Sequence, residues 1–384
     1  MIRKIGQLAL LFIKLGLTAF GGPAAHIAMM EAEIVERRRW LKREQFLDLL
    51  GATNLIPGPN STEMAIHIGF VRGGIVGLVV VGICFILPAV LITSILAWIY
   101  VKFQTVPQVD ALLYGIKPVV IVIILGAVHR LGRPAAKNYG LIGLGGLVLC
   151  SVLIGINEIF ALLGGGIIGT LYHILSRRRN GSNPTPLFGL TLFPIGSVTI
   201  AATGATKPIS LLSLGLFFLK VGSVLFGSGY VLIAFLQGEL VDGARWLERQ
   251  QLLDAIAIGQ FTPGPVLSTA TFIGYLLAGT PGAAISSICI FAPSFLFVLI
   301  TNPLIPRLRR SAIAGAFLDA VNASAIGVMA AVAIQLAYST LIDWGAWSIT
   351  VGATIILFKY GKLNSAWLVF GGAVVGWLLK TTMG

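Results

Sequence analysis

The sequence predicts an all-α integral membrane protein of about ten crossings. Broken, re-entrant half-helices interrupt the crossings, and the chain divides into two repeats of inverted topology. Three observations carry this reading. The 384 residues are 57% hydrophobic and only 11% charged, where soluble domains run near about a quarter charged. Apolar stretches of spanning length recur, among them Gly74–Tyr100, Leu141–Ile156, Gly282–Ile300 and Ala312–Tyr338. A bilayer core takes about 20 such residues per helix. Finally, the second half repeats the first with its charge bias reversed.

The repeat is read directly. Shifted by 206 residues, Phe12–Pro59 aligns with Phe218–Pro265 without a gap, and 19 of 48 positions are identical, more than shared hydrophobicity explains. The identities include Lys14/Lys220, Gly16/Gly222, Gly21/Gly227, Glu33/Glu239, Trp40/Trp246 and Asp48/Asp254. They end with Pro57-Gly58-Pro59 against Pro263-Gly264-Pro265. The first repeat covers residues 1–175 and the second 209–384. Between them, residues 176–208 read as a cytoplasmic linker: three arginines, then Asn, Gly, Ser, Pro and Thr in quick succession. The apolar run Leu187–Thr203, broken by Pro194, leaves contact with the membrane surface open.

Charge sets the orientation. Arg37–Arg43 carries five basic residues and its partner Gly243–Arg249 two. Lys102 stands alone where its partner loop holds Arg307, Arg309 and Arg310; Arg130, Arg133 and Lys137 face a loop near Asp343 with none. The loop near Glu158 has none and its partner holds Lys359 and Lys362. Under the positive-inside rule the halves face opposite ways, a plan common in secondary transporters. Five crossings per half put both termini outside, against the pull of Arg3 and Lys4.

Each repeat is broken inside the membrane. Proline lacks the N–H and clashes with the preceding helical turn, so two half-helices meet at each Pro-Gly-Pro. Asn60, Ser61 and Thr62 follow the first turn, and Ser268 and Thr269 the second. A helix beginning there presents free N–H groups, a ready anion site. A second break lies at Gly21-Gly22-Pro23, matched by Gly227-Ser228-Gly229. The candidate anion-binding residues are therefore Gly21, Gly22, Gly227, Ser228, both Pro-Gly-Pro turns and the hydroxyl and amide residues after them. Lys14 and Lys220, charged within apolar helices, join them as candidates; snorkelling or internal pairing is the competing reading. Glu63, whose partner is uncharged, is the coupling candidate, against a plain carboxylate at a helix N-terminus. Asp48 and Asp254 are placed to pair with Arg43 and Arg249, Lys117 is a weaker site candidate, and His26 is read as packing.

The net charge of +13 sits in short clusters at the ends of apolar stretches, which excludes a nucleic-acid partner. Cys84, Cys150 and Cys289 form no ligand spacing, and no metal, cofactor or nucleophile–base set is expected. The chain is therefore read as no enzyme. A homodimer is left open.

The strings FIKLGLTAFGGPAAHIAMM, WLKREQFLD and NLIPGPNSTEMAIHIG resemble the chromate ion transporter family, and WLERQQLLDAIAIGQFTPGPVLSTATFIGY is similar to that family's second domain. The resemblance covers nearly the whole chain in the two-domain form. It implies a multi-pass protein of the bacterial inner membrane that exports chromate and confers chromate resistance, with sulfate or another small anion as the alternative substrate and proton coupling left open.

Overall fold

The computed structural model describes residues 2–19, 22–53, 56–103, 107–179, 209–226, 229–302, 312–360 and 365–383. Gly21, Gly227, Ser228 and the run Leu187–Thr203 lie outside the described residues. The first half contains α1 (Ile2–Thr18), α2 (Pro23–Glu31), α3 (Arg43–Thr53), α4 (Asn60–Phe103), α5 (Pro107–Ala135), α6 (Tyr139–Leu153) and α7 (Glu158–Arg179). The second contains α8 (Leu211–Val224), α9 (Val231–Leu236), α10 (Arg249–Phe261), α11 (Thr269–Thr301), α12 (Ala312–Thr340), α13 (Trp344–Lys359) and α14 (Ser365–Met383). No strand occurs among the described residues. Among the described residues, five segments are long and apolar enough to cross a membrane: Asn60–Phe103, Ala111–Arg133, Glu158–Ser176, Val266–Thr301 and Gly315–Thr340.

Two of these are not straight. Gly74 has φ 60° and Gly279 φ 62°, and at each the chain doubles back. Gly69 and Gly77 face each other's carbonyls, as do Gly274 and Gly282. On a straight helix each pair would be about 12 Å apart. Glycine is required here because any β-carbon would strike the opposing backbone. Thus α4 comprises a short arm, 60–73, and a long arm, 75–103.

Arg72, at the end of the short arm, stacks 4.7 Å over Trp40, just before α3. So α3 and the short arm form the re-entrant hairpin expected around Pro57–Pro59. The first break behaves likewise. Gly22 turns the chain at φ 80°, α2 runs back along α1, and Lys14 reaches Glu33 at 3.4 Å. Ile5 packs against Gly73. The five-crossing expectation placed the N-terminus opposite the basic corner Arg37–Arg43. The structure places the start of α1 beside that corner, with Ile5 against Gly73.

The two halves match in conformation and interlock. Arg39 (φ 52°) and Arg245 (φ 53°) occupy the left-handed region at equivalent positions. π-Turns follow α2 at Ala32–Arg37 and α9 at Gln237–Gly243. α1 packs on α4 as α8 packs on α11, while α5 packs on α14 as α7 packs on α12, across the halves. Facing residues give helix direction. Gly165 meets Ser324 and Gly169 meets Ala320; Gly115 meets Gly376 and Gly372 meets Val119. Numbers rise on one helix as they fall on the other, so each cross-half pair is antiparallel. The long arms of α4 and α11 do the same, with Leu78 clustered with Val298 and Gly82 against Phe295.

Candidate functional site

The Pro-Gly-Pro turns are joined by a crossed pair of hydrogen bonds. The Gly58 N–H donates to the Leu225 carbonyl at 2.6 Å, and the Gly264 N–H donates to the Ala19 carbonyl at 2.9 Å. Ala19 and Leu225 are equivalent residues, at the first break of each half. Each turn thus docks on the break of the opposite half, which brings all four interruptions together. Gly58 (φ 143°) and Gly264 (φ 92°) sit where side chains are strained. A side chain on Gly264 would also press on Ala89 at 2.9 Å and on the Gly16 carbonyl at 3.2 Å.

This docking changes the expected donor set. The glycine amides are spent on the other half. The Thr62 and Glu63 amides both return to the Pro59 carbonyl, at 2.8 and 3.0 Å. Asn60, Ser61 and Thr62 therefore lie in the first turn of α4, not before it. What remains are side chains. The equivalent hydroxyls Thr62 Oγ1 and Ser268 Oγ are fully buried with no hydrogen-bond partner, and so are Ser294 Oγ and both oxygens of Glu63. Glu63 and Ser294 converge on Gly58 from opposite halves. Buried polar groups without partners are rare and call for an explanation. Thr269 Oγ1, by contrast, donates to the Val266 carbonyl at 2.8 Å.

The first half adds a network that the second lacks. His26 Nε2 lies 3.0 Å from the Ala19 carbonyl and Nδ1 lies 3.2 Å from Ser61 Oγ. A carbonyl only accepts, so Nε2 carries the proton; in the neutral ring, Ser61 then donates to Nδ1. Leu232 and Leu267 replace this pair in the second half. His26 does pack, edge-on to Phe85 at 5.8 Å, but it also braces the first break against the Pro-Gly-Pro helix. Pro57, Pro59, Pro263 and Pro265 shape the turns, and a β-carbon added to Gly22 would lie 3.2 Å from the Tyr230 hydroxyl.

Lys14 and Lys220 are engaged elsewhere. Lys14 pairs with Glu33 at 3.4 Å and Lys220 with Glu239 at 2.7 Å, tying each first helix to the π-turn after the second. Asp254 also differs from expectation. It binds Lys117 at 3.3 Å and accepts from the Tyr100 hydroxyl at 2.9 Å. Arg249 turns to Asp242 and Arg43 to Glu31. The Lys117–Asp254 pair joins α5 of one half to α10 of the other, a contact that no local spacing signals. Ser294 was missed for the same reason: a lone serine in an apolar helix is unremarkable until the other half meets it. Among the described residues no cluster of three His, Cys, Asp or Glu side chains forms a metal site.

The chromate transporter family profile matches residues 6–170 and again 212–377. The chain belongs to the chromate transporter family. It is 33% identical over 377 residues to the chromate transport protein of Cupriavidus metallidurans, covering 96% of this chain and 92% of that one. It is 31% identical over 394 residues to the chromate transport protein of Pseudomonas aeruginosa, with 98% and 93% covered. An uncharacterized transporter of Methanocaldococcus jannaschii is 30% identical over 385 residues, with 96% and 92% covered. No solved structure matches. As a member of the chromate transporter family, the chain is a multi-pass membrane transport protein and not an enzyme.

Proposed function

We propose that this protein is a secondary transporter of the bacterial inner membrane that exports chromate and thereby confers chromate resistance. Residues 1–175 and 209–384 act as oppositely oriented halves, joined by a linker at 176–208. The observation that carries the reading is the crossed docking of the two Pro-Gly-Pro turns, with unpartnered hydroxyls from both halves buried beside it. A tetrahedral oxyanion offers four acceptor oxygens, and Thr62, Ser268 and Ser294 are spare donors. The antiparallel cross-half helix pairs support inversion, the arrangement in which a central site is exposed alternately to either side. Outward-facing apolar residues such as Ile83, Leu91, Phe160 and Trp367 suit a lipid face.

Energetics favour export. A dianion leaving a negative interior gains about 2.3 kcal/mol per charge per 100 mV, so about 4.6 kcal/mol in all. Proteoliposomes holding the purified protein test the reading, with radiolabelled chromate and sulfate as competitor. Wild type is expected to carry chromate. Gly58→Ala and Gly264→Ala, which strain the turns and displace the docking, are expected to cut flux at least tenfold. No wild-type flux of chromate, or unimpaired flux in both variants, refutes the reading. Equal transport of sulfate identifies a general tetrahedral-oxyanion carrier.

A further inference from the structure

The least explained group in the membrane interior is Glu63. Its side chain is fully buried, and neither carboxyl oxygen has a hydrogen-bond partner. One helical turn on, His67 is also fully buried with both ring nitrogens unpartnered. Glu63 is aimed at Gly58, the residue at the centre of the crossed docking, and Ser294 of the opposite half approaches the same point.

The charges on the packed helices are committed elsewhere. On α1, Lys14 binds Glu33. On α2, Glu31 binds Arg43 and His26 holds Ser61 and the Ala19 carbonyl. On α3, Glu44 and Asp48 are exposed. On α10, Asp254 binds Lys117. On α4 itself, Arg72 stacks on Trp40. The face of α11 supplies Ser294 and no charge. The nearby imidazoles, His26 and His67, are neutral-capable groups and not fixed cations. Among the described residues, then, no lysine or arginine pairs with Glu63.

A carboxylate in this position and a dianion at the docking point repel each other strongly, because charges are weakly screened at a fully buried site. A neutral carboxyl does the opposite, because its O–H becomes a donor toward an oxyanion oxygen. Resting on the transport reading above, we propose that Glu63 is a proton-binding site obligatorily coupled to the anion: each dianion occupies the site together with one proton on Glu63. The proton comes from bulk water and adds to a carboxylate oxygen. It donates a hydrogen bond to the anion and returns to water after the anion departs. No bond in the anion breaks. The cycle moves one net negative charge per dianion instead of two, and His67, one turn further along the same arm toward Arg72, is placed as a relay. The second half carries Thr269 at the equivalent position, so one proton accompanies each anion.

The test uses full-length protein in proteoliposomes containing a trapped pH indicator, at pH 8, where free chromate is the dianion, with sulfate in parallel. Wild type is expected to move one proton with each dianion in the same direction. Glu63→Gln, permanently neutral and still a donor, is expected to move chromate without protons and with affinity independent of pH. Proton movement that persists in Glu63→Gln, or that disappears only in His67→Gln, overturns the assignment. A wild type that carries chromate with no proton also overturns it and leaves the transport reading standing. Movement of neither anion overturns both. Calorimetry of chromate binding to wild type in two buffers of different ionisation enthalpy gives the proton count without any variant: one proton is expected, and zero refutes the proposal.

Discussion

Removing Asp254 isolates a charge that only the assembled halves hold in place. Lys117 and Asp254 are 6% and 2% exposed and 3.3 Å apart. Asp254→Ala leaves the ammonium buried without its carboxylate, and losing one partner of a buried pair costs about 3–5 kcal/mol. The Tyr100 hydroxyl loses its acceptor too, a further penalty of about 1–3 kcal/mol if nothing replaces it. A loss of about 4 kcal/mol or more is therefore expected. The equivalent Asp48 is exposed, and Asp48→Ala should change stability by about 0.5 kcal/mol or less. Reversible unfolding in detergent micelles measures both. A Lys117→Met, Asp254→Leu double variant removes both charges and should recover most of the loss, because apolar replacement of a buried pair is often neutral or better. Equal effects at Asp48 and Asp254, or a double variant as unstable as Asp254→Ala, would refute the reasoning.

Other consequences are open to measurement. Exchanging the Lys220–Glu239 pair, as Lys220→Glu with Glu239→Lys, should restore most of the chromate flux lost in either single variant; a lysine that contacts the anion directly would leave the exchanged protein inactive. Gly77→Val drives a side chain into the Gly69 carbonyl and should cost about 1–3 kcal/mol by thermal unfolding, whereas Gly143→Val, with open space around it, should not. The Tyr114 hydroxyl, 2.5 Å away, and then the Ala346 N–H hold the Asp343 carboxyl below the usual carboxylate range. Its contribution is complete above about pH 3.9, the unfolded value, and is lost as pH falls through the lower folded value. Wild type should therefore lose more thermal stability between pH 7 and pH 3 than Tyr114→Phe; equal losses would contradict this.

The repeat, the helical breaks and the reversed charge bias were all legible because each is local. Proline and glycine act on the backbone within one turn, and a 206-residue offset needs only counting. The exposed Lys14 and the part-buried Lys220 were harder to place. An apolar stretch around a lysine reads the same whether the ammonium meets a substrate or a glutamate 19 residues on. The N-terminal fold-back was illegible for a related reason: α1 is long and apolar enough to suggest a crossing, and only Ile5 against Gly73 shows where it begins.

By itself, the sequence determined a duplicated helical membrane protein with interruptions at Pro57–Pro59 and Pro263–Pro265 and an unmatched Glu63. Those properties follow from residue type, spacing and short-range sterics. Tertiary structure alone decided that the interruptions dock crosswise, that the glycine amides bind Leu225 and Ala19, and that Ser294 and Glu63 converge on Gly58 from opposite halves. The physical reason is that hydrogen bonds and burial between distant segments depend on which surfaces meet. In two interlocked halves, that is set by the packing of the whole helix set and not by any stretch of the chain.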